Sequence, residues 1–219
     1  LYVPDPIARL AGALNTYARV GFPAFENDNG VVLSIDDGPN PRTTPRVLDA
    51  LDKHGLKAVF FLTGIQVENH PSLALEIQSR AHQIGSHGFN HVASHRMSSM
   101  ELERQIAASA DVIEYAVSSR PVFFRPPYGL FNPFHYHILR RQRHRLVLWN
   151  RVLRDWDPEV PIGSILDYVS SALRMGDIIL LHDNEKTEHR IAGLIESIAS
   201  TLDALDLSAT VFRQPVQDL

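Results

Sequence analysis

The sequence has 219 residues, 44% of them hydrophobic and 21% charged, with 21 Lys and Arg against 25 Asp and Glu and a formal charge of -4. This suits one sizeable globular core and lacks the basic excess that a nucleic-acid partner requires, so nucleic acid is not an expected ligand. The absence of cysteine excludes disulfides and thiolate metal sites, and no apolar run reaches the ~20 residues of a membrane-spanning helix.

In chain order, residues 1–30 carry Pro4, Pro6 and Pro23 around a short apolar segment, Ile7 to Val20. They are expected to form an N-terminal extension packed on a main domain of residues 31–219. The chain begins at Leu1, and any signal segment would lie outside it. From Val31 onward, short runs rich in Val, Ile, Leu and Phe alternate with amphipathic segments. The runs are Val31–Ile35, Lys57–Leu62, Gln83–Gly85, Pro121–Phe124, Leu146–Trp149, Asp177–Leu181 and Ala209–Phe212. Short apolar runs of this kind suit strands buried on both faces of a parallel sheet.

The segments between them read as helices. Thr44-Pro45 supplies an N-cap followed by proline, and His54-Gly55 a stop. Ser98 and Glu101 form a capping box. Ile191, Leu194, Ile195, Ile198, Leu202 and Leu205 make an apolar stripe on the last long helix. Strand followed by helix about seven times predicts a parallel α/β architecture, open or closed into a barrel. In either form ligands gather at the carboxyl ends of the strands.

Chemically active residue types stand at those ends. The first run ends in Asp36-Asp37-Gly38-Pro39, a carboxylate pair that converges on a ligand or an ordinary Asp-Gly turn. The third is followed by His87-Gly88-Phe89-Asn90-His91, two histidines that bind one metal if they share a tight loop, or a polar pair with no ligand. The fourth leads into Arg125-Pro126-Pro127-Tyr128-Gly129, where two prolines stiffen the loop and leave the Tyr128 and Gly129 N–H groups available. Asp155-Trp156 and Leu180-Leu181-His182-Asp183 follow later runs. The other histidines, including His54, His70, His135 and His189, are expected to be exposed or locally hydrogen-bonded. The basic stretch from Arg140 to Arg145 reads as the solvated end of a helix.

Taken together and in order, these five motifs resemble those of the polysaccharide deacetylases, the NodB-homology enzymes of carbohydrate esterase family 4. The resemblance runs from about Val31 to Phe212. It implies an α/β fold, a distorted (β/α)7 barrel. It also implies a metal-dependent hydrolase that removes N-acetyl groups from a glycan of peptidoglycan, chitin-like or exopolysaccharide type. By the same resemblance Asp37, His87 and His91 match the metal ligands and Asp36 the catalytic base. Arg125 matches the residue that orients and tunes this base, and Tyr128 the oxyanion donor through its backbone N–H. Asp155 and His182 match the acid pair, and Trp156 and Leu180 the apolar lining for the acetyl methyl. Zinc suits the ligand set, and cobalt, nickel and iron also accept it. Two positions depart from the family pattern: Gly88 stands where a hydroxyl residue is usual, and Val152 where an Asp is frequent.

An N-acetylated glycan is thus the expected partner, with a monomer or weak oligomer as the expected state and the cell envelope or exterior as the expected location. Two alternatives remain from the sequence: the same barrel acting on an O-acetyl xylan or small amide, and a barrel that binds glycan without turnover.

Overall fold

The computed structural model describes Glu26, residues 30–132 and residues 135–214. The expected packing of the N-terminal extension lies almost wholly outside the described residues. Glu26 donates its N–H to the Val211 carbonyl (3.0 Å).

The elements follow the anticipated alternation. They run β1 (Gly30–Asp36), α1 (Thr44–Lys53), β2 (Ala58–Leu62), α2 (Gly64–Asn69), α3 (Pro71–Ser79), β3 (Gln83–Ser86), α4 (Ser99–Val117) and β4 (Phe123–Phe124). The second half holds α5 (Tyr136–Arg141), β5 (Arg145–Leu146), β6 (Arg151–Val152), α6 (Ile162–Ala172), β7 (Ile178–His182), α7 (Ile191–Ala204) and β8 (Ser208–Ala209). Seven strands form a curled, all-parallel sheet in the order β5-β4-β3-β2-β1-β7-β6, while β8 pairs with the start of β1. No ladder joins β5 to β6 among the described residues, so the distorted barrel stays open there.

The chain runs outward from β1 through β5, then returns on the other side of β1 through β6 and β7. The β1–β7 boundary is therefore the reversal point of the sheet, where open parallel sheets place their ligands. Register sets Asp36 beside His182 there.

Burial explains the strands' apolar character. Alternate residues of β1 face opposite ways. Val31, Leu33 and Ile35 pack under the helices with Phe60, Leu48 and Ile195. Val32 faces the barrel interior with Val59, Phe61, Phe123, Ile178 and Leu180. Both faces are buried, so no polar alternation is visible in the sequence.

Local signals behave largely as expected. Ser98 Oγ accepts the Glu101 N–H (3.3 Å) at the start of α4. Thr44 is the first residue of α1 rather than its cap, which is Thr43. In α7 the stripe Ile191, Leu194, Ile195, Ile198 and Leu202 is buried, but Leu205 lies past the helix end, 40% exposed. The strand β6 was not anticipated, because Arg151 and Val152 stand among polar neighbours, Asn150 and Arg154, and form no apolar run. His135 is buried rather than exposed, at the start of α5.

Gly85 in β3 marks a close approach. A Cβ there would lie 2.6 Å from Phe61 Cδ1 on β2 and 3.1 Å from the Phe123 carbonyl oxygen on β4, the second a backbone atom that cannot swing aside. Gly85→Ala is expected to lower stability by about 1–3 kcal/mol through overpacking. Urea unfolding would register this as a lower midpoint, and an unchanged midpoint would mean that Phe61 and β4 yield freely.

Candidate active site

Asp36 is the last residue of β1, and alternation turns it into the barrel interior with Val32 and Ser34. A regular strand would send Asp37 the other way. Instead Asp37 takes a positive φ of 79°, and both carboxylates reach one cavity. The turn is held by Thr63, whose N–H donates to the Gly38 carbonyl (3.0 Å) and whose hydroxyl donates to the Asp37 carbonyl (3.3 Å).

Arg125 enters the barrel from the end of β4 and is fully buried. Its Nη1 donates to Asp36 Oδ1 (2.8 Å) and Ser34 Oγ (2.8 Å), and its Nη2 to the Leu148 carbonyl (3.2 Å). The guanidinium lies 4.0 Å from the centroid of the Phe61 ring. A planar cation suits such a slot, because it can stack and donate at once. Burial draws its pKa down, against the pull of Asp36.

The histidine pair sits in a tight loop after β3. The His87 N–H donates to the Leu62 carbonyl (2.8 Å). Its Nδ1 lies 2.8 Å from the Arg125 carbonyl, which assigns the proton to Nδ1 and leaves Nε2 bare. The first two N–H groups of α2, at Gly64 and Ile65, donate to the Gly88 and Phe89 carbonyls (2.9 and 3.0 Å). Helix-end donors with no partner inside the helix thus hold the loop. His91, at φ 53°, brings its Nε2 to 3.2 Å from Asp37 Oδ1, while His87 Nε2 stands 3.7 Å from the same oxygen.

One ligand atom from each of Asp37, His87 and His91 lies within 4.8 Å of the other two. Asp37 Oδ1 is buried yet accepts no well-formed hydrogen bond among the described residues. An orphaned carboxylate oxygen facing two imidazole nitrogens is what a divalent cation satisfies, so the residues fit the group. Burial would raise the Asp37 pKa. His91, and the charges of His182 and His87, outweigh burial and hold the carboxyl well below the carboxylate range. Burial likewise pushes the His87 pKa down, favouring the neutral ring that a metal requires.

Across the cavity, His182 ends β7. Its Nδ1 contacts Asp155 Oδ1 (2.9 Å), and its backbone N–H donates to Asp155 Oδ2 (2.7 Å). Asp155 is fully buried, so both its oxygens serve one residue. Burial opposes the charged ring, but Asp155 overrides it, aided by Asp37 and Asp36, and raises the His182 pKa to about 9. The Trp156 ring meets the imidazole edge-on at 4.6 Å.

The cavity holds about 460 Å³ and includes Tyr128, Trp149, Val152, Trp156 and Leu180 in its walls. Tyr128 sits at φ 61° with its ring 4.8 Å from that of His91. One expectation needs correction. The Gly129 N–H is engaged with the Pro126 carbonyl (2.9 Å), closing a turn, so of the two donors expected to be available only Tyr128 remains. All ten residues singled out from the sequence gather at this end of the sheet. Asn184 was missed, and Ser34, Trp149 and Asp183 lay in or beside the motifs without a role assigned to them. Ser34 was findable, since it lies two residues before Asp36 on the same strand face.

Residues 26–147 match the family model described as polysaccharide deacetylase. The chain belongs to the polysaccharide deacetylase family. It is 32% identical over 178 residues to a peptidoglycan-N-acetylglucosamine deacetylase of Bacillus cereus, covering 80% of this chain and 83% of that protein. It is 32% identical over 189 residues to a chitooligosaccharide deacetylase of Rhizobium leguminosarum bv. trifolii, covering 83% and 86%. Among solved structures, a family 4 carbohydrate esterase from Streptomyces lividans in complex with acetate superposes with a TM-score of 0.75 at 28% identity, covering 82% of this chain and 91% of that one. As a member of this deacetylase family, the protein is a hydrolase.

The His182–Asp155 pair makes a pH prediction for the metal-free protein. A pKa raised from 6.5 to about 9 means that the charged ring stabilises the fold fully below the ordinary histidine value. That contribution is lost as pH rises through about 9. Nitrogen NMR of the ring is expected to show an imidazolium at pH 7, and Asp155→Asn to bring its midpoint down. A midpoint that Asp155→Asn leaves in place would remove Asp155 as the cause.

Proposed function

We propose that this deacetylase hydrolyses the N-acetyl groups of a glycan, with Asp37, His87 and His91 holding a divalent metal. The observation that carries the reading is the orphaned Asp37 Oδ1, set between two imidazole nitrogens and next to a second carboxylate held by a buried arginine. Zinc suits one carboxylate and two imidazoles, and cobalt, nickel and iron accept the same set. When bound, such an ion supplies Lewis acidity, making water a stronger acid and the acetyl carbonyl a better electrophile.

This chain's own residues then divide the proton transfers. Asp36, held by Arg125, takes a proton from the attacking water as its oxygen bonds to the carbonyl carbon. The Tyr128 N–H donates to the carbonyl oxygen as that oxygen becomes negative. His182, kept protonated by Asp155, gives its proton to the nitrogen as the carbon–nitrogen bond breaks. Acetate and a free amine are the products, and the proton taken by Asp36 balances the one given by His182. Trp156 and Leu180 offer an apolar wall for the acetyl methyl.

Similarity to deacetylases of peptidoglycan and of chito-oligosaccharides supports N-acetylglucosamine units as the substrate, and a cell-envelope or secreted site of action. Among the described residues no helix is long and apolar enough to cross a membrane.

The test is acetate release from N-acetylglucosamine oligomers and from peptidoglycan, with acetylated xylan as the competing substrate. Activity confined to xylan would overturn the amide reading. Asp36→Asn is expected to retain bound metal while losing about 10²–10⁴-fold in turnover, the usual contribution of a general base. His87→Ala and His91→Ala are expected to lose the metal itself, read by elemental analysis of purified protein. Full metal content in both would place the ion elsewhere.

A further inference from the structure

Two residues beyond His182, Asn184 reaches back across the mouth of the sheet to Asp37. Its Nδ2 donates to Asp37 Oδ2 at 2.7 Å. The orientation of the amide is determined by its other end, because Asn184 Oδ1 accepts the Lys186 N–H (2.9 Å) and only the nitrogen can then face the carboxylate. The loop is itself tied down. The Thr187 hydroxyl donates to the His182 carbonyl (2.7 Å), and the Asp183 N–H donates to the Asp36 carbonyl (2.8 Å). On its far side, buried Asp183 accepts from the hydroxyls of Thr43 and Thr44, beyond the Asp37 turn. Asn184 and Asp37 are therefore held at a set separation by contacts on both sides of the amide.

We propose that Asn184 is a positioning residue of the metal site, which fixes Asp37 as a ligand through one oxygen only. The inference rests on the metal reading given above. The positive φ of Asp37, 79°, brings its carboxylate to the cavity, and Asn184 meets one of its oxygens there. By engaging Oδ2, Asn184 leaves Oδ1 alone to face His87 and His91. A carboxylate restricted to one oxygen keeps a coordination position open for water or substrate, which a two-oxygen grip would fill. The hydrogen bond also removes the freedom that Asp37 would otherwise lose on binding.

The experiment measures zinc affinity of the stripped protein by competition with a fluorescent chelator, and the visible absorption of the cobalt form. Asn184→Leu keeps most of the side-chain volume and removes the donor, and Asn184→Ala removes both. Both variants are expected to bind zinc about 10–100-fold more weakly, the range typical of lost outer hydrogen bonds. Both should also shift the cobalt bands as the second Asp37 oxygen becomes free to reach the metal. Thermal unfolding of the metal-free variants establishes that the fold is retained. Zinc affinity of Asn184→Leu within about twofold of the parent, with unchanged cobalt bands, would overturn the role of Asn184 while leaving the metal site standing. A parent protein that binds no zinc, or a His87→Ala variant that binds it equally well, would instead remove the metal reading itself.

Discussion

A guanidinium sealed inside the barrel is the constraint on which the rest of the site depends. Arg125 is fully buried, and Asp36 supplies its opposite charge. Two ions taken out of water are tolerable only if geometry and further hydrogen bonds compensate the lost hydration. Ser34, the Leu148 carbonyl and the Phe61 ring provide that compensation from three different strands or strand ends. Arg125 also acts through its main chain, since its carbonyl sets the tautomer of His87. One residue thus holds the carboxylate proposed as base with its side chain and an imidazole proposed as metal ligand with its backbone. Truncating it would leave Asp36 as an uncompensated buried charge, a far larger disturbance than the loss of one contact.

The two halves of the cavity are electrostatically opposed. On one side Asp36 and Asp37 lie beside two imidazoles, with the charge of Arg125 behind them. On the other, His182 is held in its charged form by Asp155. The separation arises from the sheet, because β1 and β7 are hydrogen-bonded neighbours that deliver Asp36 and His182 in register. A carboxylate and a charged imidazole at one mouth are what the acid–base roles proposed above require. Here the topology supplies them at the point where the strand order reverses.

Much of this was legible in the sequence. The strands showed as apolar runs because both faces of the sheet are covered, and the acidic and basic residues stood at the ends of those runs because the parallel sheet exposes only its ends. What was hidden depended on side-chain reach or on very short elements. β6 is an Arg-Val pair set among polar neighbours and leaves no apolar run. Asn184 lies within sequence distance of His182, but nothing in the order of residues says that its amide points to Asp37, 147 positions away. The Gly129 donor looked available from the two prolines before it, yet the turn those prolines promote is the one that consumes it. Asp37 converges with Asp36 only because its backbone adopts a conformation that neighbouring Gly38 and Pro39 hinted at without specifying.

The bracing of the histidine loop by the start of α2 bears on how this fold can diverge. Gly64 and Ile65 grip consecutive carbonyls at Gly88 and Phe89, and the Phe89 ring lies so close to Gly64 that a Cβ there would meet it at 2.4 Å. A residue inserted or deleted between His87 and His91 would break both grips and rotate one imidazole out of place. Length variation is therefore shut out of this loop, whatever its side chains.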